Sequence, residues 1–365
     1  MAGETECENA KPLNVGIIGL GTISNNHAHG FMKGGRSKIT AVCDLYEDLA
    51  KARAEKWGAS KIFTDYKALL KDNNVDAVDI CLPPKLHAKV AVEAAEAGKH
   101  ILTEKPMALT LKDCDAMIAA ARKNNVKLMV THNQLFYPPH QEARRLVAEE
   151  IGKPITSTSI LYGGMPASDW RCDPKISGGF MLEAVIHRFY VSRFLMGEVK
   201  RVSCMTAKSD PDLLCEDKVM VNLEFEGGRH GVINANRCGP FGLWDDRTEV
   251  VGEDGMVIVN GVEDQIIGGP PLLHYRNGMW RSWCNTRMPE EAKDQFESKP
   301  PEELKLTTYE LDDDFNNTFY YVTRHFVDSI IQNKTPFVSG EEGRRLVQII
   351  QACYESAEKG KVIDV

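Results

Sequence analysis

The chain has 365 residues, a formal net charge of −8 and 26% charged residues, with no long basic run. That length suggests two domains with ample core, and the acidic balance argues against nucleic acid or an anionic membrane as the main partner. No apolar run approaches the ~20 residues of a membrane-spanning helix, and ten cysteines without a Cys-x-x-Cys pair read as reduced core residues of a cytoplasmic protein, not as a disulfide framework or zinc site.

Residues 1–12 are polar and acidic, lack the apolar core of a signal peptide and read as a flexible tail. Asn14 to Ile18 is a short apolar strand followed at once by Gly19-Leu20-Gly21-Thr22-Ile23-Ser24. Gly19 and Gly21 allow a tight turn and close approach to a pyrophosphate, with Thr22 and Ile23 leading into a helix whose N-terminus offers free N–H groups to that anion. The third fingerprint position holds Ser24 in place of glycine. A second strand over 39–43 ends in Asp44, about 20 residues on, where a carboxylate binds the ribose hydroxyls of NAD. The other reading of Asp44 is a helix N-cap.

The βα rhythm then continues through a helix over 47–57, a short strand and helix over 61–70, and a buried strand over 77–82 closed by Pro83-Pro84. His87 opens a helix that runs to Ala97. The next strand ends in Glu104-Lys105-Pro106. Proline keeps the residue before it extended, so Lys105 stands at a strand end, the ligand side of an open α/β sheet. A helix over 111–123 and a strand over 127–130 follow, with His132, Asn133 and Gln134 at its end. Strands alternating with helices predict a doubly wound parallel sheet over 13–138. His87 and His132 read equally as capping or satisfied polar residues.

A helix over 141–150 leaves this domain, and from Pro154 the pattern becomes alternating. Strands are predicted over 155–162, 201–207, 219–225, 229–236, 248–252 and 255–260, with turns at Gly227-Gly228 and Asp254-Gly255. They predict a largely antiparallel open sheet in a second domain, 139–365. One helix, 180–196, interrupts it after Gly178-Gly179. Glu183 and His187 are four apart on it and share a face. Zinc is not expected there, because no third ligand is spaced to join them. Residues 261–301 are rich in Pro, Gly and aromatics, including Tyr275, Trp280 and Trp283; they read as an elaborated hairpin or as a wall on which sugars stack. Helices over 315–331 and 342–358 end the chain, and these helices are candidates to pack back on the first domain.

The glycine turn, Asp44, Leu82-Pro83-Pro84 with His87, and Glu104-Lys105-Pro106 occur in that order. The chain resembles the Gfo/Idh/MocA family of NAD(P)-dependent oxidoreductases, which act largely on sugars and cyclitols. The resemblance extends to Gly178-Gly179, Glu183 and His187, and to 339–361. It implies an N-terminal Rossmann domain that binds NAD through Gly19, Gly21, Thr22, Ile23, Asp44, Leu82, Pro83, His87, Glu104, Lys105, Asn133 and Arg171. It implies substrate contacts from Lys105, Tyr162, Trp170, Glu183 and His187, a cis bond between Lys105 and Pro106, and a homodimer or homotetramer built through the open face of the second sheet. Two departures stand out: the family more often has aspartate at Glu183, and often another at Tyr190.

The implied activity is hydride transfer between nicotinamide and a secondary hydroxyl of a sugar or glycoside at a ring position, C3 being one candidate. Inositol oxidation and keto-sugar reduction are the alternatives. Lys105 would bond the reacting oxygen, His187 would take the proton, and Glu183 would orient His187 or grip a neighbouring hydroxyl. The alternative of another class is a non-catalytic NAD-dependent sensor, against which the pairing of Lys105 with His187 argues.

Overall fold

The computed structural model describes residues 11–163, 170–239, 244–261, 270–276, 305–309, 311 and 314–365. They fall into two compact units.

The first unit holds a sheet of strands β1 (Leu13–Ile18), β2 (Ser37–Cys43), β3 (Lys61–Phe63), β4 (Ala77–Ile80), β5 (His100–Glu104) and β6 (Leu128–Thr131), in spatial order 3-2-1-4-5-6. All its pairings are parallel. Every residue of β4 and β6 is buried, as expected where helices cover both faces. Order reverses between β1 and β4, which opens the crevice beyond their carboxyl ends where ligands bind in such sheets. The intervening helices carry ordinary stop and start signals. Asp65 and Thr110 accept N–H bonds from Lys67 and Asp113 at helix starts, and Gly58 closes helix Glu47–Trp57 at φ 73°.

This unit is not continuous in sequence. It comprises Met1–Phe136, Ser168–Ile186 and Phe315–Ile350, so two later segments return to it. The physical cause is apolar burial. Helix Phe315–Ile331 places Val322, Phe326 and Val327 in one core with Val15, Ile17 and Val42. Against helix Ser24–Lys33 it comes so close that a Cβ on Gly30 would lie 2.5 Å from the Phe319 carbonyl oxygen. Further on, Val338 accepts the Val130 N–H and Ser339 bridges Met129, which covers the β6 edge.

The second unit comprises Tyr137–Ala167, His187–Asp314 and Gln351–Val365. Its strands are β7 (Pro154–Gly163), β8 (Val199–Ala207), β9 (Lys218–Phe225), β10 (His230–Asn236), β11 (Trp244–Gly252), β12 (Gly255–Asn260), β13 (Leu272–Arg276), β14 (Lys305–Tyr309) and β15 (Ile363–Asp364). They form one sheet in order 14-13-12-11-7-10-9-8-15. β9 alternates buried and exposed residues along its length, the mark of a sheet with one open face. The sheet is mixed: β7 and β10 run parallel, and the other pairings are antiparallel. The expectation of a largely antiparallel sheet therefore holds, and the one parallel pair is the part that strand chemistry does not encode. Tyr275 lies in β13, whereas Trp280, Trp283 and most of 261–301 fall outside the described residues.

The helix expected over 180–196 begins as a π-turn, Met181–Val185, and becomes α-helical at Ile186–Met196. Such turns insert one residue into a helix and cluster at functional sites. Among the described residues, no helix is long and apolar enough to cross a membrane. The eight described cysteines are free thiols, and all but Cys238 are buried.

Candidate active site

The glycine turn follows directly from β1. Gly19 has φ 89°, and a Cβ there would lie 2.7 Å from the Cys81 carbonyl oxygen, so both backbone and neighbours demand glycine. Gly21 is different: its Cβ would meet nothing within 4 Å. No described neighbour forbids a side chain at Gly21, so the bare backbone there leaves space for a ligand. Ser24, the non-glycine fingerprint residue, is buried and donates to the Gly21 carbonyl at 2.6 Å, closing the turn onto helix Ser24–Lys33. Asp44 holds the turn from the other side. Its Oδ2 accepts the Leu20 N–H at 2.8 Å and its Oδ1 the Tyr46 N–H at 3.0 Å.

These residues line a cavity of about 420 Å³. Gly19, Gly21, Thr22, Ile23 and Asp44 form one side; Leu82, Pro83, Glu104, Lys105, Trp170, Arg171 and Glu183 form the rest. A helix N-terminus without a side-chain cap, an unfilled glycine and a strand-end carboxylate fit the pyrophosphate and ribose of a dinucleotide. Lys105 precedes a cis peptide to Pro106. Its ammonium donates to the main-chain carbonyl of Glu183 inside the π-turn and lies 3.6 Å from the Glu183 carboxylate. Arg171 Nε is also 3.6 Å from that carboxylate, and its guanidinium stacks 4.7 Å from the centre of the Trp170 ring. The segment is aimed by Gly178 and Gly179, at φ 88° and 95°, which only glycine adopts easily. Glu183, as the longer acid, thus binds two cations at the cavity wall.

Two expected cofactor residues do not line this cavity. His87 is fully buried behind it, with Nδ1 2.8 Å from the Pro106 carbonyl and Nε2 2.7 Å from the Leu82 carbonyl. It ties the end of the β4 loop to the Lys105–Pro106 turn. Burial pushes its pKa down, so the neutral ring donates to one carbonyl at a time. Asn133 is buried and donates to Thr318 Oγ1 at 3.0 Å, joining the β6 end to helix Phe315–Ile331.

In the second unit, half-buried His187 meets the phenol of buried Tyr190 through Nδ1. The group found at Nδ1 is Tyr190. Tyr162 accepts from Asn234 Nδ2 at 3.0 Å across β7 and β10.

One cluster has no counterpart in the sequence reading. Behind the cavity wall His27 bonds to both Asp79 and Glu104. The available signal was Asp79 itself, an acid in an otherwise apolar buried strand, since a buried carboxylate requires a partner. Cys81 Sγ lies beside it, 3.6 Å from Asp79 Oδ2. His27, Asp79 and Cys81 are of metal-ligand type. Ligand atoms around zinc sit roughly 3.3 Å apart or more, wider than the 2.9 Å between His27 and Asp79, so hydrogen bonds account for the spacing.

Sequence profiles of one family match both units. The profile described as "Oxidoreductase family, NAD-binding Rossmann fold" covers residues 13–132, and "Oxidoreductase family, C-terminal alpha/beta domain" covers 144–365. Myo-inositol 2-dehydrogenase of Thermotoga maritima is 28% identical over 363 residues, 96% of this chain and 98% of its own. The scyllo-inositol 2-dehydrogenase (NAD(+)) of Bacillus subtilis is 30% identical over 257 residues, 68% of this chain and 74% of its own. A levoglucosan dehydrogenase solved with NADH and levoglucosan shares the fold at TM-score 0.85 and 22% identity, covering 97% of this chain and 100% of its own. The chain belongs to the Gfo/Idh/MocA family of oxidoreductases, and its first sheet is that family's NAD-binding Rossmann fold.

Proposed function

We propose that this protein is an NAD-dependent dehydrogenase that oxidises a secondary ring hydroxyl of a sugar, glycoside or inositol, C3 of a sugar being one candidate position. The observation that carries the reading is the place of Lys105: its ammonium stands in the wall of the cavity formed by the glycine turn and Asp44. Bound NAD supplies the hydride acceptor. The chain's own residues must then bind the substrate and manage one proton.

Lys105 donates to the reacting oxygen and stabilises its alkoxide character. The Glu183 carbonyl and carboxylate hold the ammonium at the wall, and Arg171 shares that carboxylate. His187 takes the proton, since an ordinary histidine titrates near neutrality. A proton carried on Nδ1 and donated to Tyr190 leaves the Nε2 lone pair as acceptor. Trp170 and Tyr162 are the further substrate contacts. Inositols belong in the substrate class because a myo-inositol dehydrogenase aligns over nearly the whole chain.

The test is a panel of free sugars, glycosides and inositols with NAD, followed by nicotinamide absorbance. Turnover with at least one ring polyol is expected. NAD binding without oxidation or reverse reduction across the panel would overturn the reading in favour of a sensor.

A further inference from the structure

Helix Ser24–Lys33 carries His27 with no exposed surface. Both ring nitrogens face carboxylates. Nδ1 is 2.9 Å from Asp79 Oδ2 on β4, and Nε2 is 2.9 Å from Glu104 Oε1 on β5. Ionised carboxylates only accept, and a neutral imidazole has one N–H to give. Two such bonds are satisfied together when the ring is an imidazolium. The remaining neighbours are consistent with that charge. Cys81, just past β4, faces Asp79 through its thiol, and the helix Phe315–Ile331 presents the uncharged Phe319 ring 5.1 Å away. Burial works against a charged His27, but Asp79 and Cys81 together outweigh it and hold the pKa well above the ordinary 6.5.

The second carboxylate leads to the cavity. Glu104 lines it, and its Oε2 accepts the main-chain N–H of Lys105 at 3.0 Å. An unbroken chain of bonds therefore runs from Asp79 through His27 and Glu104 to the backbone of Lys105. Burial alone would raise the Glu104 pKa; the bond and charge of His27 instead hold it below the ordinary 4.5.

We propose that His27 is a positioning residue of the active site, a buried imidazolium that locks the Glu104 carboxylate so that it fixes the main chain from which Lys105 reaches the reacting oxygen. The inference rests on the reading of Lys105 given above. It makes a statement about charge that holds whatever the substrate is, and one about turnover that requires the substrate.

The charge is tested on the unmodified protein by ¹⁵N NMR of labelled histidines, with the signal assigned by its loss in His27→Gln. At a pH about two units above the ordinary histidine value of ~6.5, exposed histidines show two well-separated ring nitrogens. His27 should still show the two similar shifts of an imidazolium. A neutral pattern there overturns the proposal, even if no substrate has been found.

Positioning is tested with Asp79→Asn and His27→Gln. Removing an opposite charge at this distance shifts a pKa by about 1–3 units. The alkaline limb of kcat in Asp79→Asn should therefore move to lower pH by about one unit or more. His27→Gln should lower kcat about 10- to 100-fold, the range of a lost hydrogen bond to a charged group, with NAD affinity and substrate KM changed much less. An unmoved alkaline limb, or a loss confined to melting temperature at every pH, means that the cluster only holds the fold and overturns the positioning role. If His27→Gln does not fold, the unmodified protein still decides the charge without assignment: one histidine should keep two similar ring-nitrogen shifts at the pH of the NMR measurement, and a neutral pattern for every histidine overturns the proposal.

Discussion

Nδ1 of His187 meets the phenol oxygen of Tyr190 one helical turn further on. Where the family often has an aspartate, this chain therefore offers a neutral partner. The phenol can still select the tautomer that leaves Nε2 without a proton, but it adds no negative charge beside an imidazolium. Tyr190→Phe should lower kcat by about two- to tenfold, the range of one neutral hydrogen bond at about 0.5–1.5 kcal/mol. NAD affinity should not change. Steady-state rates across pH check this, and an unchanged kcat would separate Tyr190 from the proton transfer.

Lys105→Ala and His187→Ala test the chemistry itself. A lost oxyanion donor costs about 10²–10³-fold and a lost proton acceptor about 10²–10⁴-fold. NAD binding should survive in both, because the reading assigns it chiefly to the glycine turn and Asp44. On the proposed mechanism, in which both groups act on one oxygen, the two losses should not multiply. Near-full turnover in either variant contradicts its assigned role.

Asp44 leads to an expectation of NAD over NADP. Its carboxylate is tied to the Leu20 and Tyr46 amides at the end of β2, so its charge cannot easily swing away from a 2′-phosphate. Titration with both cofactors should show tighter NAD binding. Equal or tighter NADP binding would refute the assignment.

Arg188 and Asp246 form an ion pair with no more than 1% side-chain exposure. It anchors the helix carrying His187 to β11. Removing one partner leaves the other charge buried, at about 3–5 kcal/mol. Arg188→Met should therefore lose that much stability in urea unfolding, and Arg188→Met with Asp246→Leu should regain much of it. A single variant as stable as the double would contradict the pairing.

Stability should fall on both sides of neutrality through His27 and Glu104. The raised His27 pKa contributes stability that is complete below ~6.5 and is lost as pH rises through the higher native value. The lowered Glu104 pKa contributes stability present above ~4.5 and lost as pH falls through the native value. Unfolding free energies across pH should show both losses, and Asp79→Asn should bring the alkaline loss to lower pH. A flat alkaline side in the unmodified protein would argue against the charged cluster.

The open face of the second sheet is expected to bind another copy of the chain. Met205 and Met220 are register partners on β8 and β9, exposed by 71% and 52%, and Val232 on β10 is exposed by 36%. Exposed apolar groups on a sheet face mark association surfaces. Sedimentation at micromolar concentration should give a dimer or larger species. A species near the 40.7 kDa of one chain would contradict this.

The first sheet was legible because its signals are local. Apolar runs closed by Gly19, Asp44, Pro83 and Pro106 announce strand ends, and helix periodicity between them leaves only a parallel arrangement. The helix over 315–331 was legible for the same reason, to the residue. Its return to the first core was only a candidate, because an apolar stripe does not name its partner. The π-turn was invisible: Phe180 to Met196 reads as continuous helix, and the inserted residue shows only where Lys105 meets the Glu183 carbonyl.

The sequence by itself determined the parts whose physics is contained in a few neighbouring residues: the turn that Gly19 permits, the strand-end positions of Asp44 and Lys105, and the shared helix of Glu183 and His187. Only the tertiary structure decided which distant charges meet. His27 is 52 residues from Asp79 and 77 from Glu104, and Arg188 on its helix is drawn to an aspartate on β11. Such pairs leave no periodic trace, because a buried charge is stabilised by whatever the fold brings within about 3 Å, and sequence spacing does not set that distance.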